Sequence, residues 1–296
     1  MFSDYLIARA YFIGWRTVRA LPERLSYRLF DRIGKVTLRR NGKSVQRLRA
    51  NLQRVTPNKN DLQMDQVMDK AISSYMRYWC DTFRSPDWSK ERICETVTVT
   101  NEELLTSPVK DGRGVVVALP HAGNWDHAGS YFCAMGFPLV TVAERLKPEA
   151  LFNKFLEYRQ NIGMEVLALD QRSMATLMQR ARTGSLIALV ADRDLSRTGI
   201  DVDFFGHPSR MPAGPALLAI RTGIPLITAF VSYTATGIHI VFNSVEVPTE
   251  GSEAQRVAKT VQICADLFAV GIASAPHDWH MLQRIWIDGN FQERSA

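Results

Sequence analysis

Cysteine is scarce in this 296-residue chain: Cys80, Cys94, Cys133 and Cys264 are scattered, with no C-x-x-C pair and no short His/Cys cluster. Neither a disulfide scaffold nor a structural zinc site is expected, and reduced cytoplasmic thiols are the default. No run of 18 apolar residues occurs, so a membrane-spanning helix is not expected either. The start lacks the features of a cleaved signal peptide, because Asp4, Arg9 and Arg16 interrupt its apolar stretch and no small-residue cleavage site follows. Internal repeats and low-complexity tracts are also missing. With 46% hydrophobic and 22% charged residues, the composition is that of an ordinary folded protein.

Acid is what the first 54 residues lack. They hold thirteen Lys and Arg against Asp4, Glu23 and Asp31, so the remainder of a chain of net charge +6 is acidic. Bulky Phe2, Tyr5, Leu6, Phe12, Ile13 and Trp15 alternate with Arg9, Arg16 and Arg19. Next come Leu25, Leu29, Ile33 and Val36, at helical steps among Arg24, Arg28, Arg32 and Lys35. Amphipathic helices with aromatics and cations suit the boundary of an anionic membrane, each cation adding about 1 kcal/mol near such a surface. The alternative is helices that pack on the core and solvate their charges. A nucleic-acid role is not expected, since no zinc-finger spacing or aromatic-basic RNA motif accompanies the charge. The expected organisation is therefore 1–54 as basic membrane-interface helices and 55–296 as an α/β domain, with TPNKND at 56–61 as linker.

Beyond the linker, residues 62–84 show helical periodicity that ends near 85–87, and 253–269 form a long amphipathic pattern. Residues 97–99, 115–119, 186–190, 226–231 and 238–242 are short strand-like runs. Several have little polar alternation, as strands covered on both faces do. The expected fold is α/β: a central, largely buried β-sheet flanked by helices in an α/β/α sandwich.

The run 115–119 leads into Pro120, His121, Gly123 and Asp126, a layout of strand, His, tight turn and helix. Residues i and i+5 point apart on one helix, so His121 is expected to end the strand and Asp126 to lie in the first helical turn, reaching back to one ring nitrogen. The other nitrogen would then face substrate and take a proton from a hydroxyl. Taken alone, the spacing is equally that of a histidine capping a core strand. No H-E-x-x-H or similar ligand spacing supports a metal site.

Four blocks recur at long intervals: HAGNWD at 121–126; AERLKPE at 143–149, continuing to Arg159; ADRDL at 191–195 with VDFFG at 202–206 and RMPAGPALLAIRTGIP at 210–225; and PHDWHMLQRIW at 276–286. In this order they resemble the bacterial lysophospholipid acyltransferase-like family that includes the late acyltransferases of lipid A biosynthesis. Within it, Asp126 in place of Glu, DWHML near the C-terminus and the aromatic, arginine-rich start look most like the actinobacterial phosphatidylinositol mannoside acyltransferases.

The resemblance implies an O-acyltransferase in which His121 is general base on an acceptor hydroxyl that attacks an acyl thioester, and Asp126 orients His121. It requires no cofactor, metal or covalent acyl-enzyme. It further implies long-chain acyl-CoA as donor (palmitoyl foremost) with acyl-carrier protein as the alternative carrier, phosphatidylinositol mannoside as acceptor, and a peripheral place on the anionic cytoplasmic face of the cell membrane. Glu144, Arg145 and Arg159 are candidate substrate contacts, the two arginines for phosphate or sugar groups, with structural salt bridges as the alternative. Asp192, Arg193 and Asp194 follow the strand at 186–190; Arg193 and Asp194 rank as substrate contacts ahead of Asp192. Arg210, delivered to a helix start by Pro212 and Gly214, is a candidate for an anionic donor. Backbone N–H groups of Gly123 and Asn124 are candidate oxyanion donors. Phe204 and Phe205 suit either an acyl tunnel or the core. Acylation of another glycolipid or a lysophospholipid, and noncatalytic lipid binding, are the alternative functions.

Overall fold

The computed structural model describes residues 2–143, 149–170, 172–194 and 196–288. Helices come first: α1 (Phe2–Ala20), α2 (Glu23–Arg40), α3 (Lys43–Val55), α4 (Asp61–Arg84) and the short α5 (Lys90–Glu95). The α/β portion follows as β1 (Val97–Thr100), α6 (Glu103–Lys110), β2 (Val115–Leu119), α7 (Trp125–Ala134), β3 (Leu139–Ala143), α8 (Glu149–Asn161), β4 (Glu165–Ala168), α9 (Ser173–Arg182) and β5 (Leu186–Val190). A hairpin, β6 (Ile200–Phe204) and β7 (His207–Met211), precedes α10 (Gly214–Thr222), β8 (Leu226–Tyr233), β9 (Ile238–Ser244) and α11 (Glu253–Ser274).

Seven strands form one sheet in the order β1-β9-β8-β2-β5-β3-β4, parallel throughout except where β9 runs antiparallel to β8. Alternation within the strands explains why helices cover both faces. Val115, Val117 and Leu119 of β2 and Leu186 of β5 join one apolar cluster, while Val116, Ala118, Ile187 and Leu189 join the other. All five β2 residues are buried, as an apolar run without alternation requires. The hairpin β6–β7 lies outside this sheet.

The topology creates a crevice at the carboxyl ends of β2 and β5. These neighbours send their chains to opposite sides: β2 leads to β3 beyond β5, and β5 leads to β8 beyond β2. Where connections diverge this way, no crossover covers the strand ends, and ligands bind there.

The segment 1–54, set apart by charge, is not set apart in packing. Val45, Leu48, Leu52 and Val55 of α3 lie in the main core with Met64 and Met68 of α4. Asn51 of α3 donates through Nδ2 to the carbonyls of Met281 and Gln283 and accepts from Trp286 Nε1. Helix α1 is anchored by Trp15, whose Nε1 donates to the Phe83 carbonyl, and by the ion pair of Arg19 with Asp87. Helix α2 has two faces: Ser26, Phe30 and Gly34 turn inward, and Leu25, Leu29, Ile33 and Val36 are exposed among unburied Arg24, Arg28 and Arg32. At Gly34 an added Cβ would come within 3.0 Å of Met76, so glycine lets α2 pack closely on α4. Among the described residues, α11 alone is long and apolar enough to cross a membrane by length and composition, yet Val261, Cys264, Ala265, Phe268 and Ile272 pack it into the main core.

Candidate active site

His121 lies two residues beyond Leu119, the last residue of β2, and Asp192 lies two beyond Val190, the last of β5. Leu119 and Val190 are register partners, so continuing the parallel pair brings His121 and Asp192 side by side. His121 Nδ1 is 2.6 Å from Asp192 Oδ1, and the His121 backbone N–H donates to Asp192 Oδ2 at 3.0 Å. Trp279 Nε1 donates to the same Oδ2 at 2.9 Å. Burial works to raise the fully enclosed Asp192 carboxyl, but the His121 charge and these hydrogen bonds outweigh it and leave the carboxyl lowered. It is therefore an ionised acceptor. In the neutral imidazole, Nδ1–H donates to this carboxylate and the lone pair lies on Nε2; the side chain is 32% exposed.

The carboxylate expected to orient His121 was Asp126, and the geometry differs. Asp126 sits in the first turn of α7, as expected, but accepts from Arg159 Nε at 2.9 Å and Nη2 at 3.3 Å and from the Tyr78 hydroxyl at 3.1 Å. The backbone between the two residues explains this. Asn124 caps α7 by accepting from the His127 N–H, and the helix then directs Asp126 toward α8, away from the β5 end. Burial works to lower the Arg159 pKa; Asp126 outweighs it and keeps the guanidinium firmly charged. Burial beside Asp126 keeps the Tyr78 hydroxyl protonated.

The turn between His121 and α7 is locked by the segment 278–280. Gly123 donates to the Asp278 carbonyl at 2.8 Å, His280 N–H to the His121 carbonyl at 2.7 Å, and Ala122 bridges Trp279. Gly123 has φ +56°, and a Cβ there would stand 2.5 Å from the Val231 carbonyl oxygen, so only glycine fits. Its N–H is committed, which removes it from the expected oxyanion donors. Next to this turn, Trp125 meets the His121 ring edge-on at 5.6 Å and also lines a narrow apolar slot of about 80 Å³ between α7 and the sheet. Gly129, Phe132, Met164 and Phe242 form its deeper walls, and Asp126 and Arg159 supply its polar end. A proton acceptor thus stands beside an apolar channel.

A family model for bacterial lipid A biosynthesis acyltransferases matches residues 2–287. This chain belongs to that family. It is 40% identical over 289 residues to a phosphatidylinositol mannoside acyltransferase of Mycolicibacterium smegmatis, covering 97% of this chain and 93% of that one. A protein of the same description from Mycobacterium tuberculosis is 38% identical over 292 residues, 97% of this chain and 90% of that one. A lipid A biosynthesis acyltransferase of Haemophilus influenzae is 22% identical over 241 residues, 79% and 76% of the two chains. The names support a lipid acyltransferase.

The other expected contacts of this family member divide by partner. Arg159 is spent on Asp126 at the slot's polar end. Arg193 donates through Nη1 to Gln283. Asp194 accepts from the Ser196 N–H at 2.7 Å, and its own N–H donates to the Arg210 carbonyl at 2.8 Å. Arg210 donates to Asp201 and to the Ser196 carbonyl, tying the β6–β7 hairpin to that loop. Asp194 and Arg210 therefore brace a loop. Glu144 and Arg145 lie outside the described residues. Phe204 is core, packed against Trp279 and Trp286 in the cluster on the sheet face away from the slot.

Asp192, which ranks behind its two neighbours from the sequence alone, and Trp279 complete the site. A signal for Asp192 was present: it follows its apolar run at the same distance as His121 follows the run at 115–119.

Proposed function

We propose that this chain transfers a long acyl group, palmitoyl foremost, from acyl-CoA to a mannose hydroxyl of phosphatidylinositol mannoside at the cytoplasmic face of the membrane. The open Nε2 of His121, opposite its Nδ1–Asp192 bond and beside the apolar slot, carries the reading. His121 Nε2 takes the acceptor's hydroxyl proton as that oxygen attacks the thioester carbonyl. The C–S bond then breaks, and the departing thiolate takes the proton back from the imidazolium. Asp192 stabilises the imidazolium and holds Nδ1 as donor, as the carboxylate of a catalytic triad does. Asn124 remains a candidate backbone donor to the developing oxyanion.

The slot would take the acyl chain, with flexible Met164, whose Cε lies against Gly129, making room. Acceptor choice rests on the mannoside relatives. The exposed stripe Leu25, Leu29, Ile33 and Val36, flanked by arginines, supports a peripheral membrane site. Arg19, paired with Asp87, is not available to that surface in the same way.

The test is transfer from palmitoyl-CoA to phosphatidylinositol mannosides, with lysophospholipid and a lipid A precursor as controls and products followed by mass spectrometry. A palmitoyl-sized gain on the mannoside alone, lost in His121→Ala, is expected. Gain on a control alone overturns the acceptor, and a fully active His121→Ala overturns the base. The same preparation carrying Leu29→Ser and Ile33→Ser should sediment less with anionic vesicles; unchanged sedimentation removes α2 from the membrane contact.

A further inference from the structure

A second cavity, of about 660 Å³, opens between α3 and the C-terminal segment around Trp286. Its size is that of a small-ligand pocket. Lys43, Arg47 and Arg54 converge on it from one face of α3, at helical steps of four and seven, and Arg284 faces them. Among the described residues that line it, the one carboxylate is Asp288, held by Arg54 at 2.7 and 3.2 Å, and Arg54 is also stacked on Trp286. Among the described residues, the side chains of Lys43, Arg47 and Arg284 have no ion-pair or hydrogen-bond partner. The first turn of α3 carries no acid, and its cap, Gly42, offers no side-chain acceptor, so the helix adds positive potential at the same end.

Three unneutralised cations around a concave pocket with a fixed aromatic and amide floor are poorly explained by folding alone. Like charges brought together destabilise the free protein, and an anionic ligand relieves that cost. The pocket floor is joined to the active-site segment. Asn51 holds the Gln283 carbonyl, the Gln283 side chain accepts from Arg193, and Arg193 directly follows Asp192.

We infer that this pocket is a binding site for a ligand carrying two or more phosphate charges, held by Lys43, Arg47 and Arg284. Two sources share that chemistry: the phosphorylated nucleotide end of a thioester donor and the headgroup of an anionic phospholipid. The first source rests on the acyl-CoA reading above; the site itself does not.

The experiment compares the unmodified 296-residue chain with a Lys43→Gln, Arg47→Gln, Arg284→Gln variant. All three side chains are exposed, so a folded variant is expected, verified by an unchanged thermal midpoint. One arm titrates adenosine 3′,5′-bisphosphate by calorimetry. The other measures sedimentation with phosphatidylcholine vesicles with and without phosphatidylinositol 4-phosphate. Binding weakened at least roughly tenfold in one arm, the size of losing one or more charge-assisted hydrogen bonds, is expected and names the source. Equal binding by both proteins in both arms, or none by the unmodified protein, overturns the site. Both arms read binding without turnover, so an inactive His121→Ala protein gives the same answer, and a failed transfer assay is told apart from a failed pocket.

Discussion

Asp126 and Asp192 are both buried aspartates at the carboxyl edge of the sheet, yet their partners give them different chemistry. Asp126 faces Arg159, a permanent cation, so its charge is answered at all times and the pair can only hold geometry. Asp192 faces His121, a base that can accept a proton in a reaction, so the same carboxylate can favour the arrival of a proton on its neighbour. An ionisable residue's role follows from whether its partner can exchange a proton. Burial and residue type are shared by both pairs and do not distinguish them.

Neutralising each aspartate in turn should separate the two roles. Asp192→Asn should lower the rate of transfer by about 10²–10⁴-fold, through loss of imidazolium stabilisation and of the Nδ1–H tautomer, with acceptor binding little changed. Single-turnover rates at saturating acceptor measure it, and a loss under about threefold would remove Asp192 from proton transfer.

Asp126→Asn should act first on stability, by about 3–5 kcal/mol, because it leaves the Arg159 guanidinium buried without its counter-charge. The double variant Asp126→Leu, Arg159→Met should recover much of that loss in urea unfolding. A double variant no more stable than the single one would mean that Asp126 does more than balance Arg159.

The smallest effect concerns histidines that, unlike His121, are enclosed without a carboxylate bond. Burial pushes His127 down to about 4 and His280 down to about 3. Folded protein keeps both neutral, whereas the unfolded chain protonates them below about pH 6.5. The unfolded state thus binds more protons between these values, so this stabilisation is full above about pH 6.5 and is lost as pH falls toward 4 and 3. The lowered Asp192 carboxyl adds its loss only at lower pH, below the ordinary aspartate range. Urea midpoints should be level from pH 7 to 8 and decline from 6.5 to 4.5, with a shallower decline in His280→Gln. A decline as steep in His280→Gln as in the unmodified protein would contradict a neutral buried His280.

The position of His121 was legible because local signals agree there: an apolar run, a proline, a glycine that must take positive φ and an asparagine cap follow one another. Helix α4 was legible within a residue at its start, where Asn60 and Gln63 form a capping box. Asp192 ranks behind Arg193 and Asp194 in the sequence, since its meaning depends on β5 lying next to β2, and 66 residues of chain separate Leu119 from Leu186. In α3 the charges stood out over Val45, Leu48, Leu52 and Val55, so a helix of the main core read as part of a surface segment.

By itself, the amino-acid sequence determined the periodicities, caps and turns, and with them an α/β chain having a histidine at a strand end and a basic, aromatic start. These are properties of near neighbours, and their energies are set within a turn of helix or a few residues of strand. Tertiary structure alone decided which aspartate meets His121, which arginine is spent and which cations stay open. Each is a contact between distant segments, chosen by strand order and register, and no local preference records it.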